Sequence, residues 1–121
     1  MKRVYVAGLY SHNADGSVAN VIDVLRNIRE GQLASVEVLR AGFAVFCPWL
    51  DYQFGLCGEI PKLVYRGNSM AWLEVSDAVL VISGEGTGHG VDAEIKRATM
   101  LNIPVFRSLK ELIATQRDSF V

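Results

Sequence analysis

The sequence lacks a surplus of either charge sign. Its 121 residues carry 12 basic and 13 acidic side chains, which gives a formal net charge of -1 at neutral pH. A protein that binds polymeric nucleic acid or an anionic membrane surface through charge needs excess lysine and arginine to neutralise phosphates and release their counterions. We therefore expect no polymeric nucleic acid partner and no membrane partner.

Long hydrophobic runs and cysteine patterns are also missing. The amino-terminal segment MKRVYVAGLYSHN has only about seven largely apolar positions before polar residues follow, too few for a spanning helix or a signal peptide. The two cysteines, Cys47 and Cys57, form no CxxC pair and have no histidine at metal-ligand spacing. We expect a cytoplasmic protein with reduced thiols, no disulfide framework and no metal site.

What the chain does contain is an alternation of short β-rich segments and segments of helical periodicity. Half of its residues are apolar, and residues 1–121 suit one domain with a continuous core. The residue pattern predicts an irregular loop at 51–61 between the second strand and the second helix. The predicted strands are 3–10, 43–50, 78–84 and 103–108, and the predicted helices are 18–40, 62–77, 91–102 and 109–117. Gly31 is a candidate break in the first helix, and the segment RGNS is a candidate break or start in the second.

This βαβαβαβα order predicts an α/β fold of the Rossmann-like, flavodoxin-like type. We expect a three-layer sandwich around a four- to five-stranded parallel sheet in the order 2-1-3-4, joined by right-handed crossovers. In such a sheet a ligand binds at the carboxyl ends of the strands, where the chain order reverses. The predicted site therefore lies among the loops 9–17, 49–58 and 84–92.

The most conspicuous of these loops is the glycine-rich run GEGTGHGVDAEI, residues 84–95. It is neither a GxGxxG fingerprint after the first strand nor a P-loop, since no lysine precedes the helix, so we expect no nucleotide-type cofactor. The run leads into a helix amino terminus, where backbone N–H groups and the helix dipole favour an ionised carboxylate. Glu94 is thus predicted to be a charged acceptor or nucleophile, although acids in a first turn also serve simply to stabilise the helix.

Three segments together resemble a known family. The stretch SMAWLEVSDAVLVISGEGTGHGVDAEIKRATMLNIPVF, with VYVAGLYS and LRAGFAVFCP, resembles the nucleoside 2-deoxyribosyltransferase superfamily, which includes the 2′-deoxynucleoside 5′-phosphate N-hydrolases. Within it, the chain looks most like the uncharacterised phage and bacterial members. The resemblance covers most of the chain and leaves out 11–27 and 52–66.

The resemblance implies cleavage or transfer at the N-glycosidic bond of a nucleoside or nucleotide. The glutamate that matches Glu94 is the family's nucleophile, which attacks the anomeric carbon of the sugar and forms a covalent glycosyl-enzyme. No cofactor is expected. Because relatives complete their sites across a subunit contact, the resemblance also implies a homodimer or a higher homo-oligomer.

The family's second carboxylate, an aspartate, matches Ser69, which follows Asn68. Serine is not a carboxylic acid or base near neutral pH, so departure of the base would slow by about 100-fold or more if that group matters. Asp51, at the end of strand two, is the candidate substitute, and with the order 2-1-3-4 it lies about 10 Å from strand three. Glu94, Asp51 and Ser69 are the predicted catalytic residues.

Loop residues around these groups are the predicted substrate contacts. Relatives hold the sugar or a 5′-phosphate through residues after strand one, and the residues before the catalytic helix are placed to touch base or phosphate. The predicted substrate-binding residues are Gly8, Tyr10, Ser11, His12, Asn68, Gly88, His89 and Gly90. The aromatic residues Trp49, Tyr52 and Phe54 are expected either to stack a nucleobase or to serve as interface and loop anchors.

Two interpretations stay open beside a scaffold with no ligand, which has only the neutral composition behind it. One is an N-glycosidase or deoxyribosyltransferase. The other, favoured by Ser69, is a nucleotide-binding or nucleotide-signal-binding protein on the same fold with little turnover. Outside the site, Asp77 is expected to be structural because it begins strand three at the opposite end of the sheet. Trp72 is expected in the core or at a subunit contact.

Overall fold

Four short apolar segments form one parallel sheet in a computed structural model that describes residues 1–116. Their order is β2-β1-β3-β4, as the alternation of strands and helices predicts. The elements are β1 (Arg3–Ala7), α1 (Val21–Arg40), β2 (Ala44–Phe46), α2 (Asp51–Cys57), α3 (Lys62–Glu74), β3 (Ala78–Val81), α4 (Gly90–Met100), β4 (Val105–Phe106) and α5 (Leu109–Gln116). The strands are shorter than predicted, and the last predicted residue of α5, at 117, lies outside the described residues.

Helices cover both faces of the sheet, so alternate strand residues enter two different cores. On β1, Val4 and Val6 face the cluster that includes Ile28 of α1 and Leu112 of α5. Tyr5, the residue between them, faces the cluster formed with α3 and α4. Because both faces are buried, the strands are apolar at nearly every position, as is usual in parallel sheets. The protein is therefore a three-layer α/β sandwich of the Rossmann-like type.

Helix α1 is one continuous helix, so the break considered at Gly31 does not occur. Its amino terminus is capped by Asn20, whose side chain accepts a hydrogen bond from the backbone N–H of Asp23 at 2.8 Å. Gly31 is buried against the indole of Trp49, and a Cβ at this position would lie 2.0 Å from Trp49 Cδ2. The absence of a side chain at Gly31 therefore leaves space for the tryptophan ring, and the glycine does not end the helix.

The segment 51–61 was predicted to be an irregular loop, and this prediction is wrong for most of it. A turn of 3₁₀ helix at Pro48–Leu50 leads directly into α2, and Gly58, with an extended backbone, ends α2. Two glycines, at 55 and 58, and the proline at 61 hide the helical pattern in so short a segment. Helix α3 likewise runs without interruption through RGNS.

Asp77 is structural, as expected. Its Oδ2 accepts a hydrogen bond from the backbone N–H of Arg3 at 2.7 Å, and its own N–H donates to the carbonyl of Arg3 at 2.8 Å. These two bonds lie at the amino-terminal end of the β1–β3 ladder, far from the carboxyl ends of the strands. The loops that follow β1, β2 and β3 are consequently free to meet at the other end of the sheet.

Candidate active site

A pocket of about 430 Å³ lies at the carboxyl ends of the strands. Three loops and one face of α3 form its walls, at the place that the rule for parallel sheets predicts. Most of the predicted site residues line it: Gly8, Tyr10, Ser11, His12, Asp51, Ser69, Gly88, His89, Gly90 and Glu94. Its volume is in the range of small-molecule sites.

Asn68 is the one predicted site residue that does not line this pocket. It is exposed and lines a second cavity of about 420 Å³, over the edge strand β2, together with Phe46 and Trp72. Ser69, the next residue on α3, points to the other flank of the helix and lines the main pocket. Asp51 lines both cavities.

Glu94 is half-buried, and its Oε2 has no contact with solvent and no hydrogen-bond partner. Burial raises the pKa of the Glu94 carboxyl from 4.5 to about 7. The expectation that the helix amino terminus keeps Glu94 fully ionised is therefore wrong. The reason is positional: Glu94 is the fifth residue of α4, beyond the first turn whose N–H groups carry most of the dipole effect.

Asp92, not Glu94, receives the backbone N–H groups at this helix end. Its two carboxylate oxygens accept hydrogen bonds from the N–H groups of Gly86 and Gly88 at 2.7 and 2.6 Å, and these bonds lower the pKa of Asp92. Both glycines have positive φ angles, which residues with side chains rarely adopt. The glycine-rich run is thus folded around its own aspartate, and it brings backbone to the pocket at Gly88 and Gly90.

Tyr5 is a pocket residue that the sequence analysis missed. Its ring is buried in strand β1, and its hydroxyl is near both Ser69 and Glu94. No hydrogen bond of ordinary geometry satisfies this hydroxyl, but it is close enough to favour the ionised form of Glu94 and to oppose the rise in its pKa. A tyrosine within the otherwise apolar strand segment VYVA was the available signal, because a buried phenol needs a polar partner.

Asp51, the second carboxyl of the pocket, is the first residue of α2 and is half-buried. Burial raises its pKa above the ordinary range of aspartate. The phenol of Tyr10 lies near it, and burial followed by the charge of Asp51 raises the pKa of Tyr10 to about 12. Burial therefore makes both carboxyls of the pocket weaker acids than free carboxylic acids.

Two histidines join the first and third loops across the mouth of the pocket. The imidazoles of His12 and His89 are stacked with ring centroids 3.6 Å apart and an interplanar angle of 12°. His89 Nε2 also lies 2.9 Å from the carbonyl oxygen of Gly16, and Ser11 Oγ lies 3.3 Å from His12 Nδ1. Each histidine therefore makes a contact with the other loop.

Helix α3 contributes two basic residues that the sequence analysis also missed. Lys62 and Arg66 line the pocket from the first two turns of α3 and are both exposed. They are four positions apart, which places them on one helical face together with Tyr65 and Ser69. This spacing was the available signal, but it is common on solvated helices and does not by itself indicate a site.

Of the aromatic residues near Asp51, Trp49 is not available for stacking a base. It is 1% exposed, its ring fills the core beside Gly31, and its Nε1 donates a hydrogen bond to the carbonyl of Leu9 at 2.8 Å. Phe54 lines the second cavity instead of the main pocket, and Trp72 is half-exposed there with its ring stacked on Phe46. Trp49 is therefore the anchor of the first loop, and Trp72 belongs to an open apolar surface.

Fold and pocket together define an α/β protein with two protonatable carboxyls at the carboxyl edge of a parallel sheet. No helix within residues 1–116 combines the length and apolarity needed to cross a membrane. In the same residues, no group of three or more His, Cys, Asp or Glu side chains is arranged to hold a metal ion. A scan against protein-family models and a search of curated proteins found no match to this chain.

Proposed function

We propose that this protein cleaves or transfers at the N-glycosidic bond of a deoxynucleoside, nucleoside or nucleotide. The observation that carries the proposal is the carboxylate of Glu94, buried without a partner in a pocket of small-molecule size. A carboxylate in this position has a free oxygen whose negative charge can stabilise a developing oxocarbenium ion. The same oxygen can form a bond to the anomeric carbon. The resemblance to nucleoside 2-deoxyribosyltransferases supports the same role.

In the proposed mechanism the ionised Glu94 attacks the anomeric carbon, and the bond from that carbon to the base nitrogen breaks. The electron pair of this bond leaves with the base, which takes a proton from Asp51. Burial raises the pKa of Asp51, so it holds that proton more readily than an exposed aspartate does. In the second step water, in a hydrolase, or a second base, in a transferase, attacks the anomeric carbon and gives up a proton to the Asp51 carboxylate. The bond from the anomeric carbon to Glu94 breaks, and its electron pair returns to the Glu94 carboxylate.

Ser69 and Tyr5 act on Glu94 rather than on the base in this scheme. The Tyr5 hydroxyl favours the ionised, nucleophilic form of Glu94, and the Ser69 hydroxyl is near Tyr5. Gly8, Tyr10, Ser11, Gly88 and Gly90 line the remaining walls as sugar contacts. The proposal needs no cofactor and includes a cytoplasmic location.

The test is an incubation with deoxynucleosides, ribonucleosides and their 5′-monophosphates, with and without a second free base, followed by chromatography of the released and exchanged bases. We expect base release by the wild type, and a loss of about 1000-fold or more in Glu94→Gln, as for other nucleophile removals. Glu59→Gln is the matched control because it removes the same charge from an exposed site outside the pocket. Base release that survives Glu94→Gln would contradict the nucleophile assignment.

A second candidate is a nucleotide-binding protein with little turnover, and Ser69 is the observation that favours it. Here the pocket holds a hydroxyl where the resembling family has an aspartate. In this case nucleotides raise the melting temperature of the wild type without releasing base. Ser69→Asp, which restores the carboxylate, would then gain base release, whereas Ser69→Ala would not.

We also propose a homodimer or higher homo-oligomer. Exposed large apolar side chains lie on two surfaces, one along α1 and the other on α2, α3 and the segments that flank them, where Trp72 is 51% exposed beside the second cavity. We assign the contact to the second surface because it adjoins the second cavity, and its other exposed apolar residues are Leu50, Phe54, Leu56, Ile60, Leu63, Val64 and Val75. Light scattering on the purified chain tests the proposal, with Trp72→Lys expected to shift the mass towards the monomer and Met100→Lys on α4 as the control, because Met100 is exposed outside both surfaces.

A further inference from the structure

Helix α1 carries a second apolar stripe that residues 1–116 leave exposed. Its core face contains Ile28, Gly31, Ser35 and Val38, which are buried. Helical spacing of three and four positions places six large apolar side chains, 42–72% exposed, on an adjoining face: Val21, Ile22, Leu25, Leu33, Val36 and Leu39. A surface helix of a monomer needs only one apolar stripe, the one that faces the core. The second stripe therefore indicates a surface that another molecule covers.

The stripe is large enough for a specific contact between proteins. Helix α1 has 20 residues and so extends about 30 Å, which is the width of a small domain. From their exposed fractions, the six apolar side chains offer roughly 500–600 Å², at the upper end of the largest apolar patches on monomers. A standard interface buries roughly 800 Å² on each partner, and the stems of the charged side chains beside the stripe supply the remainder. The area thus suits one partner helix packed along the length of α1.

Charged residues along one flank of the stripe are arranged in a self-complementary order. An acid precedes a base near each end of the helix, with Asp23 3.8 Å from Arg26 and Glu37 2.9 Å from Arg40 between their charged atoms. When two such helices lie antiparallel, Asp23 comes opposite Arg40 of the second copy, and Arg26 comes opposite its Glu37. Opposite charges then meet at both ends, whereas a symmetric parallel pair would place each residue against its own kind.

The same antiparallel register interleaves the apolar residues. Leu25 comes next to Leu39 of the second copy, and the two-fold axis repeats this contact at the other end. Leu33 lies near the middle of the helix and packs beside its own counterpart. Two polar residues, Arg29 and Gln32, interrupt the stripe there. Their long stems lie on apolar surface while their polar ends reach water at the rim, a use for which arginine is enriched at interfaces.

We propose that the α1 face is an interface at which two copies of this chain pair through antiparallel α1 helices. The occupant is a second copy because a two-fold axis beside Gly31 and Gln32 satisfies the charge order and the apolar stripe with one sequence. This contact is separate from the one proposed around Trp72, since α1 and α3 cover opposite faces of the sheet. Two different two-fold contacts on one chain build an assembly of more than two copies.

Sedimentation velocity of the full chain over a range of concentrations tests the inference. We expect wild-type assemblies of more than two copies. Leu33→Lys should weaken the α1 contact at least about 30-fold, because the two-fold axis brings two lysines together in an apolar interface. Leu33 is exposed, so the variant is expected to fold. Leu33→Lys combined with Trp72→Lys should yield monomers.

The charge order has its own test. Arg26→Glu and Glu37→Lys should each weaken the α1 contact about tenfold, because each places like charges opposite one another. An equimolar mixture of these two variants should regain the contact, as should the protein that carries both substitutions, since opposite charges then meet again. A helix damaged by substitution would not recover on mixing. Lys96→Glu on α4 is the matched control, because it reverses an exposed charge outside both surfaces and should leave the mass unchanged.

A monomeric wild type would overturn the inference, and so would a mass unaffected by Leu33→Lys or charge variants that do not recover on mixing. The contact around Trp72 fails separately. A loss of mass in Leu33→Lys without one in Trp72→Lys supports the α1 interface and contradicts the other contact, and the reverse result overturns the α1 interface alone. Base release is a different measurement, so the glycosidic proposal stands or fails independently.

Discussion

Replacing Glu94 with glutamine should stabilise the protein at alkaline pH. In the folded chain burial raises the pKa of this carboxyl to about 7, whereas its ordinary value is 4.5. Folding therefore favours the protonated form, and the carboxylate becomes a cost as pH rises from 4.5 through 7. At about 1.4 kcal/mol for each pKa unit, the full cost above pH 7 is about 3 kcal/mol.

Glutamine has the shape of the neutral acid, so it removes this cost. At pH 5 the carboxyl is almost fully protonated in the folded protein, and the two proteins should differ by less than about 1 kcal/mol in free energy of unfolding. At pH 8 the Glu94→Gln protein should be more stable by about 3 kcal/mol. Urea unfolding followed by tryptophan fluorescence measures the difference, because the buried Trp49 becomes exposed on unfolding.

The comparison with Glu94→Gln isolates Glu94 from the other carboxyls, because Asp51, whose pKa burial also raises, is present in both proteins. Hydrogen bonds lower the pKa values of Asp15, Glu85 and Asp92, so the stability that these groups contribute is lost only below pH 5. Glu59→Gln provides the charge control, since this side chain is exposed. A difference between wild type and Glu94→Gln that stays constant from pH 5 to 8, or a less stable variant at pH 8, would refute the reasoning and show that the helix dipole outweighs burial.

Two further predictions concern the ionisation of Glu94 and the packing of Trp49 against α1. If Glu94 must be ionised to attack the sugar and Asp51 must be protonated to release the base, base release should rise with pH as Glu94 ionises and fall again as Asp51 loses its proton. Tyr5→Phe should move the rising limb to higher pH because the hydroxyl that favours the ionised form of Glu94 is gone, and a rising limb unchanged in Tyr5→Phe would argue against this contact. Gly31→Ala should lower the free energy of unfolding by about 1–3 kcal/mol in urea titrations, because its Cβ would overlap the ring of Trp49. Gly67→Ala, on a helix surface with nothing within 4 Å, is the matched control and should raise stability by about 0.5–1 kcal/mol.

The sheet and the position of the pocket were predictable because they depend on local patterns. Apolar segments such as AVLV of β3 are recognisable one at a time, and the rules for parallel crossovers then fix their order. Helix α2 escaped prediction because glycine and proline dominate its local signal, while its stability comes from tertiary contacts of residues such as Tyr52 with the core.

The electrostatics of the site were not predictable in the same way. The ionisation of Glu94 depends on how deeply the carboxyl is buried, and Tyr5, whose hydroxyl is near it, is 89 positions away in the sequence. A helix-end argument considers only the local backbone and therefore gives the wrong direction for the pKa. The stacking of His12 on His89 is also nonlocal, since it requires the loops after β1 and β3 to meet.

The packing of Trp49 couples the sequence of the loop after β1 to the sequence of α1. A Cβ at Gly8 would lie 2.8 Å from the indole on one side, and a Cβ at Gly31 would lie 2.0 Å from it on the other, while the indole N–H holds the carbonyl of Leu9. A smaller residue at position 49 would make room for a side chain at Gly31 but would release the loop, and Gly8 would stay blocked because a Cβ there would also lie 2.7 Å from Ile82 Cγ1. Positions 31 and 49 should therefore change together or not at all, and an engineer who wishes to reshape the pocket mouth around Trp49 must redesign the middle of α1 at the same time.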